Sequence, residues 1–257
     1  MDGKLYRLRE FLRPEDQHSL IVDASGGLAL GTLPGLEDFG TAARSMLGIV
    51  DGLVCSPGQL RRISDRTRGE ASLLVRMDWT NTLRGPDFVL PPTTTQHVPL
   101  LTAQDALDLG TTAMVHSFLL GYEEEVEAAC LRHTVQWALD GNAIGLPLIC
   151  EVRATGPRVN VPHKAIELGV SYALEGGADA IIVPYPGRKS LETIAAMVSV
   201  PWLIKPSHLE NAASELEEAI RLGSAGLWLD HTVFALSTTS AVLQEFSARL
   251  HQPIEAT

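Results

Sequence analysis

Lysine is scarce in this chain of 257 residues and occurs only at positions 4, 164, 189 and 205. Cysteine is scarcer still, with three widely spaced residues, Cys55, Cys130 and Cys150. Their spacing argues against a disulfide framework and suits a reducing compartment. No apolar run approaches the roughly 18 residues of a membrane-spanning helix, and residues 1–19 lack the apolar stretch of a secretion signal. We therefore expect a cytoplasmic protein that does not bind a membrane.

Positive charge is also in short supply. The chain has 20 Lys and Arg against 31 Asp and Glu, and a net charge of −11. This composition argues against nucleic acid as the main partner, which would require a basic face. It does not exclude an anionic small molecule, because a single site can be basic on an acidic protein. Hydrophobic residues are plentiful, at 45%, so a large core is expected.

Short apolar runs alternate with amphipathic segments along the chain. Such runs, bounded by Gly, Pro and polar residues, are typical of parallel strands buried on both faces. We predict eight strands, at 19–24, 51–56, 72–79, 112–118, 146–153, 179–184, 201–206 and 225–230. Strand and helix alternating eight times predict an α/β fold of the (β/α)8 TIM-barrel type. An open doubly wound sheet is the alternative, but "DASGGLALG" after the first strand lacks its G-x-G-x-x-G loop.

We predict one domain over residues 1–257. The polar, Pro- and Thr-rich segment 80–104 is expected to form a small hairpin or a mobile flap after the third strand. Residues 251–257 are expected to form a frayed tail. No internal repeat is visible beyond the β/α unit.

Polar residues stand at the C-terminal ends of the predicted strands, where barrels of this kind place their chemistry. For catalysis we select Lys205, Asp23, His208 and Tyr185. As substrate-binding candidates the same rule selects Arg76, Asp78, His116, Glu151, Arg153, Ser207, Asp230 and His231. No metal-ligand spacing stands out and no cofactor is predicted. We expect a small-molecule carbonyl substrate.

Several of these residues also have purely structural explanations. Arg76 and Glu151 could form an ion pair that fills the barrel, and His116 could be a hydrogen-bonded core histidine. Asp230 could cap the helix that follows it, and His231 could bind backbone. Lys205 is the hardest to explain in this way, because a buried lysine is costly unless it is paired or deprotonated.

A desolvated lysine is the usual nucleophile of Schiff-base chemistry. Its amine adds to a carbonyl, and the iminium then accepts electrons as a C–C bond breaks or forms. A neighbouring carboxylate, tyrosine or histidine must carry protons. By strand position, Asp23, Tyr185 and His208 are the candidates.

The segment "LIVDASGGLALGTLPGLEDF" resembles the opening of the DhnA-type, or archaeal-type, class I aldolases. This family includes fructose-bisphosphate aldolases, 2-amino-3,7-dideoxy-hept-6-ulosonate synthases and the autoinducer-2 thiolase. The resemblance continues through "DALDLGTTAMVHSFLLGYEEEVEAA", "GLPLICEV", "GGADAIIVPYPG" and "AGLWLDHTVF", over nearly the whole chain. It implies the barrel fold, aldolase-like chemistry and a homo-oligomer.

The same resemblance shows where this sequence departs from the family. The family's Schiff-base lysine corresponds to Ile182, and its tyrosine proton donor aligns with "EVRATG", which has no tyrosine. Ala24 replaces the histidine after the first aspartate. The phosphate-binding glycines after strand seven are replaced by "KPSHL". Of the family's chemical residues, Asp23 clearly survives, so the usual chemistry on a phosphorylated ketone is not expected.

Three hypotheses follow. The first is a divergent aldolase-like enzyme of specialised metabolism that acts on a non-phosphorylated carbonyl substrate, with Lys205 as the imine nucleophile. "IKPSHL" resembles the strand-seven segment of deoxyribose-phosphate aldolases, which also carries a lysine. The second is an imine-independent lyase, isomerase, cyclase or acyl transferase in which Lys205 acts as a cation. The third is a non-catalytic pseudoaldolase.

Overall fold

In the computed structural model, described for residues 3–63 and 70–251, eight parallel strands close into a barrel. The barrel strands are β1 (Ser19–Asp23), β2 (Gly52–Cys55), β3 (Ser72–Arg76), β6 (Ala113–Leu119), β7 (Leu148–Arg153), β8 (Ala180–Pro184), β9 (Trp202–Lys205) and β10 (Gly226–Leu229). The order around the barrel is β1, β10, β9, β8, β7, β6, β3 and β2, so each barrel strand lies beside the one that precedes or follows it in the chain. This confirms the (β/α)8 fold.

Helices surround the barrel, and short helices occupy several loops. The helices are α1 (Gly3–Phe11), α2 (Gly27–Leu30), α3 (Phe39–Arg44), α4 (Pro57–Ile63), α5 (Ala103–Asp108), α6 (Glu124–Ile144), α7 (Pro162–Glu175), α8 (Arg188–Met197), α9 (Ala212–Arg221) and α10 (Thr239–Leu250). Single 3-10 turns span Leu209–Asn211 and His231–Ala235. Among the described helices, none combines the length and apolar character needed to cross a membrane.

Two apolar layers form the core, as the alternation of side chains along each strand requires. The inner layer lies inside the barrel and includes Ile21, Leu74, Ile182 and Leu203, each fully buried. The outer layer packs between the strands and the surrounding helices. Phe11, the last residue of α1, joins the inner layer, so the first helix contributes to the barrel interior.

The third predicted strand ends earlier than expected and leads into a hairpin. β4 (Asp78–Thr80) leaves the barrel and pairs in antiparallel fashion with β5 (His97–Pro99). The backbone turns away at Met77, whose carbonyl accepts a hydrogen bond from Leu100 N at 2.8 Å. A hairpin therefore does follow strand three, and it begins at residue 78 rather than within 80–104. The predicted tail, apart from His251, lies outside the described residues.

Candidate active site

A pocket that is open to solvent, with a cavity volume of about 50 Å³, lies at the C-terminal ends of the barrel strands. The α2 segment and the β4–β5 hairpin form one wall, and strand tips form the floor and the other wall. The lining residues are Asp23, Ser25, Gly26, Leu28, Ala29, Arg76, Asp78, Trp79, Thr80, Leu83, Ser117, Glu151, Arg153, Lys205, Asp230 and His231. Eight of the twelve residues selected from the sequence are on this list.

A continuous chain of charges crosses the floor of the pocket. Arg76 donates from Nη2 to Asp23 and from Nη1 to Glu151 Oε2, the latter at 2.9 Å. The other oxygen of Glu151 accepts a hydrogen bond from Lys205 Nζ, also at 2.9 Å. The Glu151 side chain is only 2% exposed. Burying this charge costs free energy, and the two cations Arg76 and Lys205 offset that cost.

Electrostatics hold Glu151 in its charged form. Burial favours the protonated acid, but Lys205 and Arg76 outweigh it and keep the pKa of Glu151 well below its usual range. Asp230 lies farther out, with Oδ2 3.8 Å from Lys205 Nζ and a third of its side chain exposed. Burial raises the pKa of Asp230 as well, yet the nearby Lys205 ammonium gives a net lowering. Lys205 thus stands between two carboxylates.

Arg153 differs from the other cations of the pocket. Within the described parts of the chain, its guanidinium makes no hydrogen bond or ion pair, whereas Arg76 and Lys205 are both paired. It contributes to the pocket wall and acts on Glu151 only through its field. An arginine with free donors at a pocket is suited to bind a planar carboxylate or a phosphate.

Four of the selected residues do not line the pocket. Tyr185 follows an inward-facing position of β8 and therefore points outward, where its hydroxyl donates to Glu218 Oε2 at 2.6 Å. That hydrogen bond raises the pKa of Tyr185 to about 12. His208 is exposed in the loop after β9, and Ser207 beside it binds Glu215. The predicted proton-transfer roles of Tyr185 and His208 therefore find no support here.

His116 is the fourth residue outside the pocket, because its side chain faces outward from β6. Its Nδ1 lies 2.9 Å from Asp78 Oδ2, and the same oxygen lies 2.8 Å from His97 Nε2. Ser117 N donates to this oxygen too, at 2.7 Å. Burial raises the pKa of Asp78, but the two histidines outweigh it and lower that pKa well below the usual value. Asp78 thus joins the pocket wall to a buried histidine cluster.

The sequence analysis missed several members of the site. Ser117 Oγ and Ser25 Oγ each accept a hydrogen bond from the Arg76 guanidinium, at 3.0 and 3.2 Å. Ser117 shares the inward phase of β6 with Val115, which alternation along the strand could have revealed. Gly26 leaves room for His231, since a Cβ there would lie 2.5 Å from the ring Nδ1. The hairpin wall, including Trp79, had no comparable sequence signal.

Ile182 occupies the interior of the barrel, one strand away from Lys205. It is fully buried in the inner apolar layer and pairs in register with Glu151 on β7 and Leu203 on β9. Lys205 is two residues beyond Leu203 on the same strand face, and so lies nearer the pocket than Ile182. An isoleucine cannot form an imine, so any Schiff base in this barrel must use another residue.

A closed parallel barrel whose strand tips converge on a charged pocket is the arrangement of (β/α)8-barrel enzymes. No family model matches the chain. It is 28% identical over 256 residues to the 2-amino-3,7-dideoxy-D-threo-hept-6-ulosonate synthase of Halobacterium salinarum, covering 97% of this chain and 92% of that protein. It is 23% identical over 253 residues to the 3-hydroxy-5-phosphonooxypentane-2,4-dione thiolase of Yersinia enterocolitica, covering 97% and 83% respectively.

A solved Schiff-base-forming fructose-1,6-bisphosphate aldolase has the same fold. It superimposes with a TM-score of 0.79 at 20% identity and covers 97% of this chain and all of its own. The chain is therefore similar over nearly its whole length to a synthase and a thiolase, and it has the fold of a Schiff-base-forming aldolase. The relatives named as synthases, thiolases and aldolases confirm the prediction of an aldolase-like enzyme.

Proposed function

We propose that this protein is an aldolase-like lyase that makes or breaks a C–C bond in a non-phosphorylated carbonyl substrate, with Lys205 as the residue that meets the carbonyl. The observation that carries the proposal is the position of the Lys205 amine. Nζ lies in the pocket, 22% of the side chain is exposed, and Glu151 and Asp230 are within 4 Å. A carbonyl oxygen entering the pocket can therefore reach a cation that the barrel holds in place.

Lys205 can serve such a reaction in two ways. As an imine nucleophile, the amine would add to the carbonyl carbon, water would leave, and the iminium would take up electrons from the breaking bond. As a cation, the ammonium would stabilise the negative charge that develops on the carbonyl oxygen. The imine route requires a proton acceptor for the ammonium. Its two neighbours, Glu151 and Asp230, both have lowered pKa values and are weak bases, which favours the cationic route.

The loops after strands seven and eight support a substrate without a phosphate. In barrels of this kind those loops often supply the phosphate site. Here, Ser207 N and Oγ donate to the two oxygens of Glu215, at 2.8 and 2.5 Å. After β10, Thr232 N donates to Asp230 Oδ1 at 3.0 Å. Internal carboxylates thus bind donors in both loops, and their charge would repel a phosphate.

Arg153 supplies the remaining recognition element of the proposal. Because its guanidinium lies at the pocket wall with no partner in the part of the chain that the structure describes, we assign it to a carboxylate of the substrate. Asp230, at the rim and 3.8 Å from Lys205, is assigned to keep Lys205 in its charged form. Asp23 is held by Arg76 and Ser25 and is assigned to positioning Arg76. A small 2-oxo acid has both the carbonyl and the carboxylate that this arrangement requires.

Borohydride trapping tests the chemistry of Lys205. The protein is incubated with pyruvate, as the simplest 2-oxo acid, and sodium borohydride, and its peptides are mapped by mass. The cationic route predicts no adduct on Lys205, and a retro-aldol or aldol activity that Lys205→Arg retains in part and Lys205→Met loses. A pyruvate adduct on Lys205 would establish the imine route instead.

A phosphate competition experiment tests the substrate class. We expect inorganic phosphate and dihydroxyacetone phosphate to leave turnover of 2-oxo acid substrates unchanged, and Arg153→Gln to raise KM with a smaller effect on kcat. Lys164→Gln is the matched control, because this lysine lies on α7, pairs with Glu167 and does not line the pocket. Strong inhibition by phosphate, or turnover restricted to phosphorylated ketones, would contradict the proposal.

A further inference from the structure

We propose that Asp78, His97 and His116 form a binding site for a divalent transition-metal ion of the zinc class, which fastens the β4–β5 hairpin to the barrel. The site is distinct from the floor of the pocket and independent of the function proposed above. Its three residues come from three different strands, β4, β5 and β6. A bound ion would therefore connect both strands of the hairpin to the barrel wall.

Geometry supplies the first argument. One ligand atom from each residue lies within 4.8 Å of the others. The three side chains are at most 1% exposed, so the cluster is not an incidental group of surface acids. Two imidazoles and one carboxylate are a common donor set for zinc and related first-row ions, whereas magnesium and calcium favour oxygen. Such a set leaves a further position for water or a fourth ligand.

The second argument is the grouping of histidines in this part of the molecule. The His97 ring centroid lies 5.3 Å from those of His116 and His133. The ring nitrogens that face Asp78, His97 Nε2 and His116 Nδ1, are the ones available to an ion. The opposite nitrogens, His97 Nδ1 and His116 Nε2, are buried without a hydrogen-bond partner among the described residues and are not ligand atoms of this site.

Hydrogen bonding at Asp78 supplies the third argument. A single oxygen, Oδ2, receives His97, His116 and the Ser117 backbone, while Oδ1 has one long contact to Ser117 Oγ at 3.4 Å. A metal ion between the carboxylate and the two rings would replace this crowded arrangement with direct coordination. Ser117 N could still donate to the carboxylate and orient it, as partners of metal ligands commonly do.

The location gives the ion a structural role. Trp79 and Thr80 on β4 line the pocket next to Asp78, and Trp79 Nε1 donates to Leu28 O at 2.8 Å. Fixing His97 and Asp78 together would hold this wall over the pocket. Loss of the ion would leave the hairpin attached through its hydrogen bonds and ring contacts. We therefore expect metal binding to raise stability and to protect residues 78–99 from exchange.

Zinc titration tests the site directly. Protein treated with EDTA and desalted is titrated with Zn²⁺ by calorimetry, and Co²⁺ serves as a spectroscopic probe. We expect one ion per chain, visible Co²⁺ bands of low-symmetry coordination, a higher thermal midpoint, and slower amide exchange in the hairpin. His97→Gln and His116→Gln should each weaken Zn²⁺ binding at least tenfold. His208→Gln is the matched control and should bind as the wild type does, because His208 is exposed and outside the cluster.

Two outcomes would overturn the proposal. One is the absence of Zn²⁺ and Co²⁺ binding by the wild-type protein at submillimolar concentration. The other is unchanged binding in folded His97→Gln and His116→Gln variants, which would place the ion elsewhere. The wild-type titration tests whether the site binds metal even if a variant fails to fold. None of these measurements depends on catalytic activity.

Discussion

Replacing Glu151 with glutamine tests whether the charge chain on the pocket floor determines stability. The substitution keeps the shape of the side chain and removes its charge, which leaves Arg76 and Lys205 with one carboxylate fewer. Removing one partner of a buried ion pair costs about 3–5 kcal/mol. Here Arg76 retains Asp23, and Lys205 retains partial exposure and Asp230 at 3.8 Å. We therefore expect a loss near the lower limit, about 3 kcal/mol.

Urea unfolding followed by circular dichroism measures this loss, provided that the m-value is unchanged. Asp230→Asn is the control at the rim, where a third of the side chain is exposed, and should cost less than about 1 kcal/mol. The double variant Glu151→Gln with Lys205→Met removes both charges of one pair. It should be more stable than the sum of the single losses predicts, by about 1–2 kcal/mol of coupling.

The pH dependence gives a second check on the same residue. Because the folded pKa of Glu151 lies below its unfolded value, the charged form stabilises the fold. This contribution is complete above the unfolded pKa of about 4.3 and declines as the pH falls through the folded value. The gap between wild type and Glu151→Gln should therefore narrow in acid. A loss below about 1 kcal/mol at neutral pH, or additive single variants, would refute the reasoning.

Three further predictions concern the scaffold. Phe11→Ala opens a cavity at a fully buried position and should lower the free energy of unfolding in urea by about 3–5 kcal/mol. The control Leu5→Ala, on the exposed side of α1, should change that free energy by less than about 0.5 kcal/mol. Equal effects of the two substitutions would contradict the packing of α1 into the barrel. Thr102→Ala, which removes the N-terminal capping box of α5, should cost about 1 kcal/mol, and a neutral result would exclude a stabilising role for the cap. Burial lowers the pKa of His251, but hydrogen bonds to Asp51 and Asp16 give a net increase. The extra stability of the wild type over His251→Gln should therefore be complete below about pH 6.5 and decline as the pH rises through the folded pKa. A stability difference that does not depend on pH would contradict this prediction.

Local patterns predicted the barrel because each of its strands is a short apolar run between turn residues. The rule that barrel enzymes place their chemistry at the C-terminal strand ends then selected Asp23, Arg76, Glu151 and Lys205, which do meet in the pocket. The direction of the side chain explains why two of the selected residues do not line the pocket. Tyr185 and His116 alternate with inward-facing neighbours, Pro184 and Ser117, and so point out of the barrel. A position near a strand end was therefore not sufficient to predict that a residue lines the pocket, because its side chain must also point into the barrel.

The histidine cluster shows what sequence spacing could not reveal. Asp78, His97 and His116 are separated by 19 residues at each step, which matches no local metal motif. They meet because the chain leaves β3 at Met77, forms a hairpin and returns His97 beside β6. Contacts that depend on such a turn arise from backbone pairing between distant segments. Periodicity within a single strand or helix carries no information about them.

The sequence by itself determined the eight strands, the barrel and the set of charged residues available at its rim, because burial and alternation act over a few residues. The resemblance visible in it also implies that Ile182 stands where class I aldolases carry their Schiff-base lysine, which stays a prediction. Tertiary structure alone decided which charges pair: it placed Lys205 between Glu151 and Asp230 and left the Arg153 guanidinium without a partner among the described residues. It also placed the carboxylate of Glu215, a residue of α9, against Ser207 in the loop after β9. These outcomes depend on distances across the barrel, which are fixed only when all eight strands have closed around a common core.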